Sequence, residues 1–289
     1  MNWKLITTIV LFTMNAMVIL LHAIGLYLLL THRVGRSKQI ILINLAIVDI
    51  LFAILWILHL ACELLNIPIV DYLVILKGAT GLVLYYILSL LCIDRVLEVY
   101  LHLNYATSLV YTHKTAFAFF GWVIGGAGLV ILELGKAFAH WEVTLTIHRY
   151  IYMGGDVLVL LTALPAYVYL YQKYRESNSK MAKFSLNNRI KSRGQGFLIP
   201  YMIILSFFCF FVIPDIVVIA LGGSTEHQHL LNIVNKLNFL ADAVVYIFLQ
   251  TSLRKRVLRY VTFRCCTTRK EDIEIPRRKY GIHQMIIKK

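Results

Sequence analysis

Long uninterrupted apolar runs constrain this chain more than any other feature of its sequence. A helix needs about 20 mostly apolar residues to cross the roughly 30 Å hydrocarbon core of a bilayer. Lipid offers the backbone no hydrogen bonds, and the runs are continuous rather than alternating, so they are predicted to be helices and not barrel strands. The sequence therefore predicts an all-α membrane protein with a seven-transmembrane helix bundle. The seven runs are Leu5–Leu30, Gln39–Leu65, Val70–Tyr100, Ala116–Leu134, Ile151–Tyr171, Phe197–Leu221 and Leu230–Thr251.

The charge distribution predicts the orientation of this bundle. The net charge is +14, and most of the Lys and Arg residues lie in the first, third and fifth loops and near the C-terminus. Such a distribution is typical of cytoplasmic loops rather than of a nucleic-acid-binding face, so no nucleic-acid partner is expected. It predicts an extracellular N-terminus and a cytoplasmic C-terminus. The first run is too long for the core of a signal peptide and is interpreted as the first helix.

The segment after the seventh run has a different pattern. Ser252–Arg264, "SLRKRVLRYVTFR", places apolar residues at helical spacing between basic ones. This pattern predicts an amphipathic helix on the inner membrane surface, in contact with membrane lipids. Cys265 and Cys266 follow it and are candidates for lipidation, the alternative being two unmodified cytosolic thiols. Residues 1–252 are thus predicted to form the membrane domain, and residues 253–289 a cytoplasmic amphipathic helix and basic tail.

Charged residues within the apolar runs are the first indication of function, because an ionisable side chain in a membrane span is costly and usually functional. Asp49 lies in "NLAIVD" of the second run, and Asp94-Arg95 lies near the end of the third, in "LCIDRVLEVYLHLNYA". Further marker residues lie in the fourth, sixth and seventh runs: Trp122, then Phe208 and Pro214 in "FFCFFVIPD", then Asp242 and Tyr246 in "ADAVVYIFLQTSLRKRV".

In this order, the marker residues resemble the motifs of the rhodopsin-like (class A) G-protein-coupled receptors over nearly the whole chain. The family pattern is Leu-x-x-x-Asp, Asp-Arg-Tyr, a lone Trp, Phe-x-x-x-Cys-Trp-x-Pro and Asn-Pro-x-x-Tyr on successive helices. Val96 replaces the Tyr of Asp-Arg-Tyr, Val212 replaces the sixth-helix Trp, and Asp242-Ala243 replaces Asn-Pro. The cysteines of the family's outer disulfide are missing, so the chain resembles a divergent member.

The resemblance implies a non-enzymatic receptor of the plasma membrane. An extracellular ligand would bind in the outer half of the bundle, and a heterotrimeric G protein would bind on the cytoplasmic side. Asp94 would hold Arg95 at rest, and the released Arg95 would point into the cavity that the G protein enters. The other residues of the predicted activation switch are Tyr167, which matches the fifth-helix tyrosine, and Phe208, Pro214, Asp242 and Tyr246.

Asp49 and Asp242 are predicted to face each other in the middle of the bundle. Two carboxylates in a medium of low dielectric constant cannot both ionise cheaply unless a cation lies between them. The resemblance therefore implies either a bound sodium ion or one shared proton. No metal site is otherwise predicted, because the histidines lack a ligand spacing such as His-Glu-x-x-His.

The predicted ligand pocket contains two lysines. Lys77 lies about five helical turns from Arg95, at the position where aminergic receptors carry the aspartate that binds the amine. In the family, the positions of Lys77 and Lys236 face each other across the pocket. Two lysines here favour a carboxylate or another anion as the ligand, although they could instead pair with Glu63 and Asp215. The predicted pocket residues are His59, Lys77, Asp156, Val212, Asp215 and Lys236.

Two alternative functions stay open at this point. Lys236 has the spacing of the retinal-binding lysine of opsins, so a retinal-binding photoreceptor is one alternative, with retinal as its cofactor. The missing disulfide, the missing sixth-helix Trp and the lack of an outer counterion argue against it. A seven-helix transporter is the other alternative, and the absence of an internal sequence repeat argues against it.

Overall fold

The computed structural model describes residues 3–31, 36–138 and 141–183, together with Leu240. These ranges are helical throughout apart from short turns, and they contain no strand. The long helices are α1 (Trp3–Thr31), α2 (Arg36–Leu64), α3 (Val70–Leu101), α5 (Lys114–Phe138) and α6 (Trp141–Lys183). Two short elements join α3 to α5, namely a 3-10 helix, η1 (His102–Thr107), and a single helical turn, α4 (Leu109–Thr112).

The five long helices are long and apolar enough to cross a bilayer, as expected of an integral membrane protein. Their apolar segments are Ile6–Thr31, Ile40–Leu64, Val70–Leu101, Lys114–Phe138 and Thr146–Lys173. The first five predicted runs are therefore confirmed as helices. The sixth and seventh predicted runs lie outside the described residues, as do the predicted amphipathic helix and Cys265 and Cys266.

α3 is the central helix of the described bundle. It contacts α2, α5 and α6, whereas α1 packs mainly on α2. In its most apolar stretch 78% of the residues are buried, against 28% in α1 and α5 and 29% in α6. The outer faces of these three helices carry exposed apolar side chains such as Phe12, Phe119 and Leu161, as expected of a surface in contact with lipid.

Successive helices run in opposite directions, so the bundle has two distinct ends. α1 and α3 finish and α5 begins at one end, called here the Arg95 end. α2 finishes and α3 begins at the other, called here the Lys77 end. Arg95 and Lys77, one residue from each of the two predicted sites, thus lie toward opposite ends of the same central helix.

Glycines bring α5 and α6 close to α3. A Cβ atom added at Gly125 of α5 would lie 2.3 Å from Cγ2 of Val83 and 3.1 Å from the carbonyl oxygen of Ala79. Gly155 of α6 similarly faces the ring of Tyr85. Small residues at such crossings allow two membrane helices to pack with their backbones close together. This close fit fixes the position of α5 along α3 and therefore which residue of its first turn meets the end of α3.

Candidate functional site

The Arg95 end contains a buried group of charged residues. Asp94 is 0% exposed and Arg95 5% exposed, although both lie near the end of α3. Arg95 Nη2 lies 3.0 Å from Asp94 Oδ2, and Arg95 Nη1 donates a 2.5 Å hydrogen bond to Glu98 Oε2. Asp94 Oδ2 accepts no well-directed hydrogen bond. The Arg95–Asp94 contact is therefore an ion pair, whereas a directed hydrogen bond of the guanidinium goes to Glu98.

The other oxygen of Asp94 binds two residues from outside α3. The Tyr105 hydroxyl donates a hydrogen bond to Oδ1, and Lys114 Nζ lies 2.8 Å from the same oxygen. Lys114 Nζ also donates a 2.5 Å hydrogen bond to the Tyr105 oxygen. Burial, together with the hydrogen bond to Asp94, raises the pKa of Tyr105 well above its usual value. The hydroxyl therefore stays protonated and remains a donor throughout the physiological pH range.

The connection between α3 and α5 folds over the Lys114 ammonium. Lys114 Nζ lies 5.0 Å from the centre of the Tyr105 ring and 5.2 Å from that of Tyr111. The two rings meet edge to face, with their centres 5.1 Å apart. Ser108 caps the short helix α4 by accepting a 3.2 Å hydrogen bond from the Tyr111 backbone N–H. The cap positions Tyr111, and the aromatic faces add a cation–π attraction for the buried ammonium.

Sequence reasoning identified only part of this group. Asp94 and Arg95 were predicted, and the structure places them together. Glu98 was missed, although its position three residues after Arg95 on the same helix face was a usable signal. Tyr105 and Lys114 carry no comparable signal, because only the fold of the connection brings them to Asp94.

A second buried polar contact lies in the middle of the bundle. His22 Nδ1 of α1 lies 3.5 Å from Asp49 Oδ2 of α2, and the two side chains are 2% and 1% exposed. Asp242, the partner predicted for Asp49, lies outside the described residues. His22 was not predicted, although a histidine in an apolar run was a signal of the same kind as Asp49. The structure thus gives Asp49 a contact on α1 that the sequence reasoning had sought on the seventh helix.

The contact between His22 and Asp49 should be visible in protein stability. We expect His22→Leu and Asp49→Leu each to lower the apparent melting temperature in detergent, because each leaves a buried polar group that has lost a contact. The double variant should lose less than the sum of the two, by a coupling of about 1–3 kcal/mol. Leu20→Ala, on an exposed face of α1, is the control. Strictly additive losses would contradict an energetic coupling between the two residues.

The Lys77 end contains a cationic and aromatic group. The Lys77 ammonium lies 3.9 Å from the centre of the Trp56 ring, and the side chain is only 5% exposed. Trp56 meets His59 edge to face at 5.9 Å, and His59 Nε2 lies 4.0 Å from the Glu63 carboxylate. Two predicted pocket residues, His59 and Lys77, are therefore brought together, and the residue between them, Trp56, was missed by sequence reasoning.

The remaining predicted residues are distributed as follows. Asp156 is buried on α6 and directly follows Gly155, which packs against Tyr85 of α3. Tyr85 lies about two helical turns along α3 from Lys77. Tyr167 packs against the apolar core and stacks on Tyr171, with 6.2 Å between ring centres. The following predicted residues lie outside the described part of the chain: Phe208, Val212, Pro214, Asp215, Lys236, Asp242 and Tyr246.

A hydrogen bond joins α5 to α2. Trp122 of α5 donates a 3.1 Å hydrogen bond from its indole N–H to Oδ1 of Asn44, the first residue of "NLAIVD" in α2. Among the described residues, no three His, Cys, Asp or Glu side chains are grouped so that they could hold a metal ion. No protein-family model matches the chain, and no curated protein is significantly similar to it in sequence.

Proposed function

We propose that the chain is a divergent rhodopsin-like G-protein-coupled receptor of the plasma membrane. In this proposal the bundle has seven transmembrane helices, an extracellular N-terminus and a cytoplasmic C-terminus. A ligand binds at the Lys77 end, and a heterotrimeric G protein binds at the Arg95 end. The observation that carries the proposal is the buried Asp94–Arg95 pair at the end of the central helix.

A buried arginine at this position supports a switching role better than a purely structural one. Burying an ion pair costs desolvation energy that its attraction often does not recover, so such a pair is weak evidence for a stabilising role. Asp94 and Glu98 are both on α3, as is Arg95 itself. Arg95 can therefore leave both carboxylates by a change of its own side-chain conformation, without α3 moving. Such a change would bring the guanidinium out of the bundle on the side where the proposed G protein binds.

The hydrogen bond between Trp122 and Asn44 adds a smaller piece of support. Trp122 is a marker residue of the resemblance, and Asn44 directly precedes the Leu-x-x-x-Asp segment of α2. The marker residue of α5 therefore lies at the depth of the marker segment of α2.

The test of the proposed function is a panel of chimeric G-protein reporters in cells that express the full chain. The panel is read with and without a library of anionic metabolites and peptides. We expect at least one Gα class to give a signal above that of cells that lack the protein. A panel without any signal, in cells that carry the protein at their surface, would contradict the receptor proposal.

The Lys77 end favours an anionic ligand. A buried ammonium over the face of Trp56, whose ring in turn packs against His59, combines a positive charge with aromatic surface. Such a combination suits a carboxylate attached to an apolar or aromatic body, because the charge-assisted hydrogen bond and the ring contacts act on different parts of the ligand.

For an anionic agonist found with this library, we expect Lys77→Met to raise the half-maximal concentration at least about tenfold, because one partner of a desolvated charge pair is lost. Lys136→Met is the matched control, since Lys136 lies at the same end but is part exposed and pairs with Asp71 at 3.9 Å. Its dose–response curve should stay close to the parental one. Equal responses of the parent and Lys77→Met would refute this ligand assignment.

A further inference from the structure

We infer that Lys114 is a permanent counterion of Asp94 and thereby sets how firmly the resting receptor holds Arg95. The inference rests on the proposed receptor function and concerns the regulation of the same site. Its basis is the geometry of four charged side chains at the Arg95 end, together with the aromatic connection that covers one of them.

The four charges form an unbroken series of contacts. Glu98 Oε2 lies 2.5 Å from Arg95, Arg95 lies 3.0 Å from Asp94 Oδ2, and Lys114 lies 2.8 Å from Asp94 Oδ1. Two carboxylates and two cations balance each other. Asp94 therefore has a cation at each oxygen, and Arg95 holds only one of these two positions.

The position of Lys114 is explained by Asp94 and not by its own helix. Lys114 is the first residue of α5, where the helix dipole disfavours a positive charge, and the first turn of α5 contains no acid. The side chain is 2% exposed, so the ammonium does not extend into water. Asp94 Oδ1 provides the compensating charge, and the ring centres of Tyr105 and Tyr111 lie 5.0 Å and 5.2 Å from the ammonium.

This arrangement changes the energetics of releasing Arg95. If Arg95 were the sole cation at Asp94, its departure would leave a buried and uncompensated carboxylate, which is strongly unfavourable. With Lys114 and the Tyr105 hydroxyl in place, Asp94 stays compensated after Arg95 has left. Lys114 thus lowers the free energy of the released state relative to the resting state, and its removal should tighten the hold of Asp94 on Arg95.

A purely structural role for Lys114 makes a different prediction. If Lys114 only stabilised the connection between α3 and α5, its removal would lower the stability of the protein and would weaken the contacts that hold Arg95 in the bundle. Signalling without ligand would then rise or stay unchanged. The sign of the change in basal signalling therefore distinguishes the two roles.

The experiment measures ligand-independent signalling of the full-length chain in the reporter panel, at matched surface expression. We expect Asp94→Asn to raise basal signalling, because Arg95 loses its ion pair with Asp94 and keeps only the one with Glu98. Lys114→Met should lower it by roughly fivefold, a shift typical of coupled neighbouring charges. The double variant should behave like Asp94→Asn, since Lys114 acts through Asp94. Lys114→Arg, which keeps the cation, should signal like the parent.

Lys136→Met is the matched control for removal of a lysine. Lys136 lies at the Lys77 end, away from the proposed G-protein side, and forms a part-exposed 3.9 Å pair with Asp71, so its loss should leave basal signalling unchanged. If Lys114→Met does not reach the surface, Lys114→Gln carries the same expectation.

An unchanged or raised basal signal in Lys114→Met, or in Lys114→Gln where that variant replaces it, together with a raised signal in Asp94→Asn, would overturn this inference and leave the receptor function standing. If neither the parent nor Asp94→Asn signals, the receptor function fails and the inference fails with it.

Discussion

Replacing Arg95 with alanine should abolish G-protein activation and leave the protein at the cell surface. The released guanidinium is the group proposed to meet the G protein, so its loss should reduce reporter signal to the background of cells without the protein. Folding should be preserved, because Asp94 keeps its contacts with Lys114 and Tyr105. Glu98, the other partner of Arg95, is only part buried and can reach water. The measurement is reporter output divided by surface immunolabelling of intact cells.

Lys136→Ala is the control for this prediction. Lys136 is part exposed at the Lys77 end, so its replacement removes a positive charge without touching the buried group or the proposed G-protein side. It should signal nearly as the parent does. Undiminished signalling by Arg95→Ala would show that Arg95 is a structural residue and that the switch assignment is wrong.

Replacing Gly125 with leucine should strongly destabilise the bundle. Even a Cβ atom at this position would lie 2.3 Å from Val83, a core residue of α3 that is 3% exposed, and 3.1 Å from a backbone oxygen of α3. Backbone cannot yield as a flexible side chain can, so α5 would have to move away from α3. Overpacking in a core usually costs about 1–3 kcal/mol, and a whole leucine side chain against backbone belongs at or above the upper end. We expect little protein at the surface and a low apparent melting temperature in detergent.

Gly126→Leu is a closely matched control, because it is the adjacent residue of the same helix. No atom lies within 4 Å of a Cβ atom added at Gly126. The substitution also replaces a poor helix former with a good one, so stability should stay the same or rise slightly. Equal losses in both variants would indicate a general intolerance of α5 to leucine and would contradict the close α3–α5 packing.

The helices of the described part could be predicted from the sequence because the signal for a membrane span is local. An apolar run of sufficient length predicts a helix whatever surrounds it. The ends of the helices were less predictable. α6 extends from Trp141 to Lys183, well beyond the predicted Ile151–Tyr171, since the polar residues on both sides of the run continue the helical hydrogen bonding outside the apolar segment.

The candidate site was predictable only where one helix carries it. Asp94 and Arg95 were identified because charged residues in an apolar helix are conspicuous. From the sequence, Lys114 is interpreted as a basic residue of the third loop. Its burial depends on how η1 and α4 fold, and on where the glycines of α5 pack along α3. Trp56 was missed for a similar reason, since its partner Lys77 lies on another helix. His22 did carry a local signal, as a histidine within an apolar run, but its contact with Asp49 depends on how α1 packs on α2.

The most direct test of the receptor proposal is nucleotide exchange with purified components. The full-length protein and its Asp94→Asn and Arg95→Ala variants are placed in lipid nanodiscs and incubated with purified heterotrimers of each Gα class, and GTP-analogue binding is measured. The proposal predicts faster exchange than with empty nanodiscs for at least one class, fastest with Asp94→Asn and no faster than empty nanodiscs with Arg95→Ala. Exchange at the empty-nanodisc rate for every class, with both the parent and Asp94→Asn, would contradict it.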